Sequence, residues 1–560
     1  MFRRLTALAL ALAVLLTAGV LFSCGRASSS GPAAETEPVS ETAPPADKTE
    51  PEARTTARFA EGNERLLLRS ERERMNADEF GLTLSLNGTP LPHAGKVWYL
   101  PVTADFSADT LVFLSATAEI PGENGEAAQT VPAADILLDD HLRETGITPF
   151  LAHNTPSEVI VLTDDAYIAC DLIFTTLPVV SLRPAKKHLT RNDTQADFAL
   201  WEPRAAGPHL ITSASKVKIR GASSSSLAKV PYKVGLLDEN GEPRNISLCG
   251  MRKDDDWILY ATHSDNTHVR DMVGWRLWKR MTETSDALTA APLGAEYVEL
   301  LIGDKYEGLY VLMERVDAKT LSLDAERGDT LFKCISWDVP SAEGLAGQGL
   351  RSATYSSMEK KFPDPEDGMD GSWDAIAEYV RVCYEASGDE FAAEIGDIAD
   401  VYNMVEYWLF VNIAMAADNT WKNTYYANVD GKMTAYPWDL DITFGLGWNG
   451  ELANNYLWEQ PGMDQKTFDF QCGRRLLKYV PGMADYARER WTYLTLHGIA
   501  DAETLIADAH EFWDLLHSSG AWDRNLARWP NTNSTDSLDY FEKTVRTHTK
   551  WFDRYLKSLP

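Results

Sequence analysis

Long apolar runs are nearly absent from this chain. Beyond residue 22 no segment has the ~18 uninterrupted apolar residues a bilayer-spanning helix needs, so no later membrane helix is expected. Cysteine is scarce, six in 560 residues, and no two form a CxxC pair, which removes the common zinc spacings. Positive charge is short as well: 53 Lys and Arg face 83 Asp and Glu, a net charge of −30. Nucleic acid and anionic lipid surfaces are bound through Lys and Arg, so neither is expected as the main partner. Internal repeats are lacking too.

What is present begins with an export signal. Arg3 and Arg4 precede the apolar run Leu5 to Phe22, and Cys24 follows Ser23, the features of a signal peptide. A Cys at the cut resembles a bacterial lipobox. The expectation is a leader over 1–23, a lipidated Cys24 in contact with the membrane, and the rest extracytoplasmic on the bacterial cell surface. Retained uncleaved as an anchor, the leader would leave the chain on the same side. Residues 24–57, rich in Ser, Pro, Glu, Thr and Ala, cannot bury enough surface to fold and read as a disordered stalk. The other five cysteines, Cys170, Cys249, Cys334, Cys383 and Cys472, are scattered and odd in number. At least one thiol is therefore free unless it pairs between chains, and most are expected as buried fillers.

Residues 58–180 read as a β-rich accessory domain. Leu82 to Leu86, Val97 to Val102, Thr110 to Leu114 and Glu158 to Leu162 are short β-prone runs separated by Gly, Pro and Asn, the pattern of a small sandwich-like module. Residues 181–560 form the second part. Lys216 to Leu237 reads as strand, Ser-rich loop, strand; Val269 to Met281 as a helix; Tyr297 to Ile302 and Tyr306 to Met313 as a hairpin. Past Trp373 the pattern turns helical.

The densest chemistry lies between Ala417 and Gly445, ADNTWKNTYYANVDGKMTAYPWDLDITFG. Val401, Met404, Val405, Trp408 and Leu409 have amphipathic-helix spacing and lead to Asp418, with Asn423 five residues on. Strands are expected over Thr424 to Val429 and Met433 to Tyr436, joined by an Asp-Gly turn, before Asp439 and Asp441. Helix, Asp-x4-Asn, hairpin and acidic turn is the order of parts that phosphoryl transfer from ATP uses. One carboxylate accepts the proton of the attacking hydroxyl, while an amide and a second carboxylate hold metal on the phosphates. Asp and Asn are common, however, and the same residues also cap helices and loops.

Four ordered blocks extend this reading. Ile219-Arg220-Gly221-Ala222-Ser223-Ser224 with Lys229 and Pro231-Tyr232-Lys233 is similar to the Arg-Gly-Asn-Ser-Ser…Lys-Pro-Tyr segment of the CotH kinase family, the spore-coat-type atypical kinases of bacteria. Trp257-Ile258-Leu259-Tyr260 with Asp265 and Arg270, then Gly308 to Asp317, then Trp438-Asp439-Leu440-Asp441, resemble its next three blocks.

The resemblance implies an α+β fold, a two-lobed atypical protein-kinase-like domain after the β-rich one. It implies transfer of phosphate from Mg- or Mn-ATP to Ser or Thr hydroxyls of exported or surface proteins. Asp418 would be the proton acceptor and Asn423 a metal ligand, with Asp441 the main metal carboxylate and Asp439 its rival or companion. Arg220, Gly221, Ser223 and Ser224 could drape over phosphates, although this loop has one Gly and Ala222 stands where the family prefers Asn. Lys233, or in competition Lys229, would be the phosphate cation. The helix after it offers no Glu before Glu283 to pair with that lysine, leaving Glu314 or Asp271 as substitutes. Met313 and Glu314 take the place of a hinge for adenine, and Trp438 could stack on the base. Two other functions remain open on the same residues: a non-catalytic surface binding protein, and transfer of AMP instead of phosphate.

Overall fold

The computed structural model describes residues 56–75, 81–120, 129–132, 135–163, 166–222, 224–288, 292–364, 371–447, 470–530 and 536–559. The leader with Cys24, the stalk up to residue 55, Ser223, Trp448 and Trp458 lie outside the described residues. Thr56 and Ala57, expected at the end of the stalk, are instead folded: Thr56–Phe59 pairs in parallel with Asp135–Leu138. Among the described residues no helix is long and apolar enough to cross a membrane.

The chain is mixed α+β. In its first part a seven-stranded and a four-stranded sheet face each other across one core. Leu84 and Leu86 from the smaller sheet meet Trp98, Leu100, Ile136 and Val159 from the larger. Alternate residues of a strand point to one face, so each sheet supplies every second side chain.

The strands Val179–Pro184, Thr194–Glu202, His209–Ile219, Tyr232–Leu237, Asp256–Tyr260, Lys305–Met313 and Ala295–Ile302 then close into a barrel. Closure comes from parallel pairing of Val179–Pro184 with Ala295–Ile302. Alternation divides the barrel side chains. Tyr232, Val234, Trp257, Leu259, Tyr310 and Leu312 fill the inside, whereas Ile258, Tyr260, Val311 and Met313 face outward into the largest core of the molecule.

That core is completed by a five-stranded sheet and a set of helices. The sheet runs Thr354–Tyr355, Met358–Phe362, Thr330–Cys334, Thr424–Val429 and Lys432–Pro437. At its centre lies the helix Val401–Ile413, begun by Asp400, whose side chain accepts from the Tyr402 and Asn403 amides. From Asn403 to Ile413 every residue of it is buried, as expected of a helix wrapped on all sides.

Candidate active site

Asp418 is placed by the end of that buried helix. The chain leaves helical geometry at Met415, with φ +54°, and makes a single 3₁₀ turn over Ala417–Thr420. Tyr407 of the central helix donates its hydroxyl to the Asn419 carbonyl at 3.1 Å. The Asn419 amide donates in turn to the carbonyls of Asn423, at 3.0 Å, and Trp438, at 2.8 Å. One buried amide thus ties the start of the hairpin to its finish, and brings residue 418 beside residues 423 and 439. The hairpin turn itself has Asp430 at φ +49° and Gly431 at φ +80°, the mirror-image turn that the Asp-Gly pair signals.

The Asp418 carboxylate is 2% exposed. Its Oδ2 accepts from Lys422 Nζ and from Asn423 Nδ2, both at 2.9 Å, while Oδ1 has no donor among the described residues. Burial raises its pKa above the ordinary value, and Lys422 pulls against that rise. Asn423 thus spends its NH₂ on Asp418. Asn423 (φ +58°), Asp439 (φ +62°) and Phe444 (φ +46°) all adopt left-handed backbone. Asn and Asp tolerate this conformation and Phe does not, a concentration of backbone strain typical of functional sites.

Asp439 and Asp441 stand with a third carboxylate. Tyr260, on the outer face of the barrel, donates its hydroxyl to Asp439 Oδ1 at 2.8 Å. Asp271, near the start of the helix Arg270–Glu283, accepts from the Leu440 amide at 2.8 Å and from Trp275 Nε1 at 3.2 Å. This close approach needs Gly274, since a Cβ there would lie 2.9 Å from Leu440 Cδ1. Burial and the Asp439 charge push Asp271 up to about 7. Burial, then Asp439 and Asp271, push Asp441 well above the usual carboxylate range. Crowded carboxylates that hold protons for want of a counter-charge suit a divalent cation, which takes oxygen ligands. Among the described residues no group of three or more His, Cys, Asp or Glu side chains is arranged to hold a metal ion. Asp439 and Asp441 are therefore carboxylates without a cage of their own, and a cation held there would need further oxygen ligands from a bound molecule.

A family model described as CotH kinase protein matches residues 217–557, more than half of the chain. The chain belongs to the CotH kinase protein family. That membership suggests a kinase-like function, and the match includes Asp418, Asn423, Asp439 and Asp441. No curated protein matches the chain.

The other residues singled out from the sequence divide into two groups. Arg220 and Trp438 meet, with the guanidinium carbon 5.3 Å from the centroid of the buried indole; Trp438 also packs on Trp275 and Tyr425. Gly221 has φ +93°, and a Cβ there would lie 2.1 Å from Ser224 Oγ, so the loop turns tightly between Arg220 and Ser224.

The remaining residues have structural partners. Lys233 Nζ lies 3.0 Å from Asp256, which also takes Arg315; the carboxylate beside this lysine therefore comes from the adjacent strand, and neither Glu314 nor Asp271 supplies it. Lys229 is buried, donates to the Leu309 carbonyl and to Asn525 Oδ1 at 3.0 Å, and pins the barrel to the helix Ala521–Arg528. Glu314 accepts from the Arg252 amide at 2.9 Å and the Gly294 amide at 3.0 Å. Its own N–H is bonded to the Gly294 carbonyl, and Met313 is paired on both sides, with Ile258 and Ala295. The Glu314 N–H is thus committed within the sheet.

Asn419 and Lys333 were not found by sequence reasoning, while Tyr260 was read only as part of a block and Asp271 only as a substitute partner for the lysine. Asn419 carries no motif beyond the stretch that contains it. Lys333 sits in an ordinary strand, Thr330–Cys334, where only its position opposite Tyr425 brings it to Trp438.

Proposed function

We propose that this chain is an extracytoplasmic CotH-type kinase that transfers phosphate from Mg- or Mn-ATP to Ser or Thr hydroxyls of exported or surface proteins. The observation that carries this reading is Asp418: a buried carboxylate held through one oxygen by Asn423 and Lys422, its other oxygen unclaimed, next to Asp439 and Asp441. In this reading the barrel is the upper lobe and the helical part the lower one, with the acidic turn between them.

Asp418 Oδ1 accepts the proton of the attacking hydroxyl. A carboxylate whose pKa is raised by burial is a better base than a solvated one. The Lys422 and Asn423 bonds fix the orientation of Oδ2 and so of Oδ1. Asn423, Asp439 and Asp441 would hold Mg²⁺ or Mn²⁺, which supplies neutralisation of phosphate charge when bound. Tyr260 and Asp271 orient the acidic turn, the first through Asp439 and the second through the Leu440 amide. The leader with Cys24 supports an exported, membrane-anchored protein, and the net charge of −30 supports a protein acceptor over nucleic acid.

The test is the unfolding midpoint with and without ATP plus Mg²⁺ or Mn²⁺, for wild type and Asp441→Ala. A ligand at ~100 times its dissociation constant adds about 2.7 kcal/mol. A metal-dependent rise in wild type that is lost in Asp441→Ala supports the reading. No rise with either metal, in a sample that unfolds cooperatively, favours the binding-scaffold alternative. With binding established, the mass added to a product separates phosphoryl from AMP transfer.

A further inference from the structure

Two cations of this site lack what every neighbouring cation has. Lys233 and Arg315 share Asp256, and Lys422 is paired with Asp418. Arg220 and Lys333, both partly buried, have no ion pair or hydrogen bond from their side chains to any described residue. Both lie against one ring instead: the Arg220 guanidinium carbon is 5.3 Å from the Trp438 centroid, and Lys333 Nζ is 5.7 Å from it and 5.6 Å from that of Tyr425.

Taking a cation out of water without an anion is costly, and a ring face returns only part of that cost. The strain registers on both groups. Burial lowers the pKa of Arg220, and burial together with Arg220 pushes Lys333 down to about 8. Asp439 attracts both yet lies beyond ion-pair distance of either, its Oδ1 being held by Tyr260. Two unpaired cations thus lie on Trp438 near the acidic turn, within the reach of its charge but not in contact with it. An anion with several charged oxygens satisfies cations and turn at once, some oxygens meeting the cations and others sharing a metal with the carboxylates.

We propose that Lys333, together with Arg220, grips the polyphosphate chain of the nucleotide, and that Lys233 does not. This rests on the nucleotide reading above, and the experiment separates the two.

Calorimetric titration of the full-length protein with Mg-ATP, AMP and inorganic tripolyphosphate compares wild type with Lys333→Met, Arg220→Gln and Lys233→Met. A hydrogen bond to a charged group at such a site is worth roughly ten- to a hundredfold in affinity. Lys333→Met is expected to weaken ATP and tripolyphosphate by that factor and AMP by less than about threefold. Arg220→Gln should show the same selectivity, which keeps the inference testable if one variant does not fold. Lys233→Met should bind all three as wild type does. Unchanged ATP affinity in both Lys333→Met and Arg220→Gln overturns the inference and leaves the nucleotide reading standing, as does an equal loss for ATP and AMP. Tripolyphosphate binding that depends on Lys333, without any binding of ATP, supports the anion site and removes the nucleotide reading. Binding of none of the three by wild type overturns both.

Discussion

Arg270 and Asp271 are consecutive residues at the start of one helix, both buried, and their surroundings treat them in opposite ways. Arg270 lies between Asp265 and Asp536, with NH2 2.7 Å from Asp536 Oδ1. Burial opposes its charge, but the two carboxylates outweigh burial and raise its pKa. Asp271, in the first helical turn where the helix dipole favours a negative group, faces Asp439 and Asp441. There burial and like charge prevail and push it up to about 7. The first residue sits in a charge network complete within the protein. The second belongs to a group of carboxylates that has no ion pair among the described residues. A protein with 83 acidic residues that leaves three carboxylates crowded in its interior forgoes stability there, and the site is where that loss has a use.

The sharpest way to break the comparison is at the incomplete end. Asp418→Asn keeps the size of the side chain and removes the base. ATP turnover is expected to fall roughly 10²–10⁴-fold, with an unfolding midpoint equal to or above that of wild type, since a buried charge has been deleted. A fall in both would mean that Asp418 belongs with the satisfied charges. The converse test is Arg270→Met, which strands Asp265 and Asp536 without their cation. Breaking a buried pair by removing one partner costs about 3–5 kcal/mol, measurable by urea unfolding. Asp265→Asn added to Arg270→Met should recover part of that loss.

The same contrast has a pH signature. Asp271 takes up its proton more readily in the folded protein (about 7) than at its ordinary value of 3.8. Folding therefore binds a proton between those limits, and stability falls as pH rises from about 4 to about 7, levelling above. Asp441, raised for the same reasons, acts in the same direction. Asp271→Asn should flatten the decline across that window, as followed by unfolding midpoints at closely spaced pH values. Arg270→Met, which strands buried Asp265 and Asp536, should lower the whole curve and steepen its decline with rising pH, since those carboxylates lose the cation that holds their pKa down.

Which parts were readable beforehand follows from the range of the interactions. The hairpin was legible because Asp430-Gly431 and the flanking alternation are local signals, and the strands fall at Thr424–Val429 and Lys432–Pro437. The helix before Asp418 was legible for the same reason, although its burial on all sides was not, since that depends on helices far along the chain. Barrel closure rests on a parallel pair more than a hundred residues apart, and no local pattern reports it. At the site, Asp418, Asn423, Asp439 and Asp441 stand within 24 residues and could be read as a set. Lys333 and Asp271 reach the same place only through strand pairing with Tyr425 and the close approach at Gly274. Lys233 shows the reverse case: its place after a Ser-rich loop is what a phosphate lysine would have, yet the neighbouring strand supplies Asp256 and satisfies it locally.

That pairing gives the smallest expected effect and the finest test of the comparison. Lys233 is about one-third exposed and Asp256 is partly open to solvent, so their attraction is screened and its loss is expected to cost about 0–1 kcal/mol. Asp256 would still hold Arg315, so Lys233→Met leaves no stranded carboxylate behind. Its unfolding midpoint should therefore stay near that of wild type, whereas Asp256→Asn, which releases both Lys233 and Arg315 into a face that already holds Arg220 and Lys333, should lower it by more. A Lys233→Met loss as large as that of Arg270→Met would mean that exposure is a poor guide to which ion pairs here bear on stability, and the division between completed and incomplete charge networks would then have to be drawn by something other than burial.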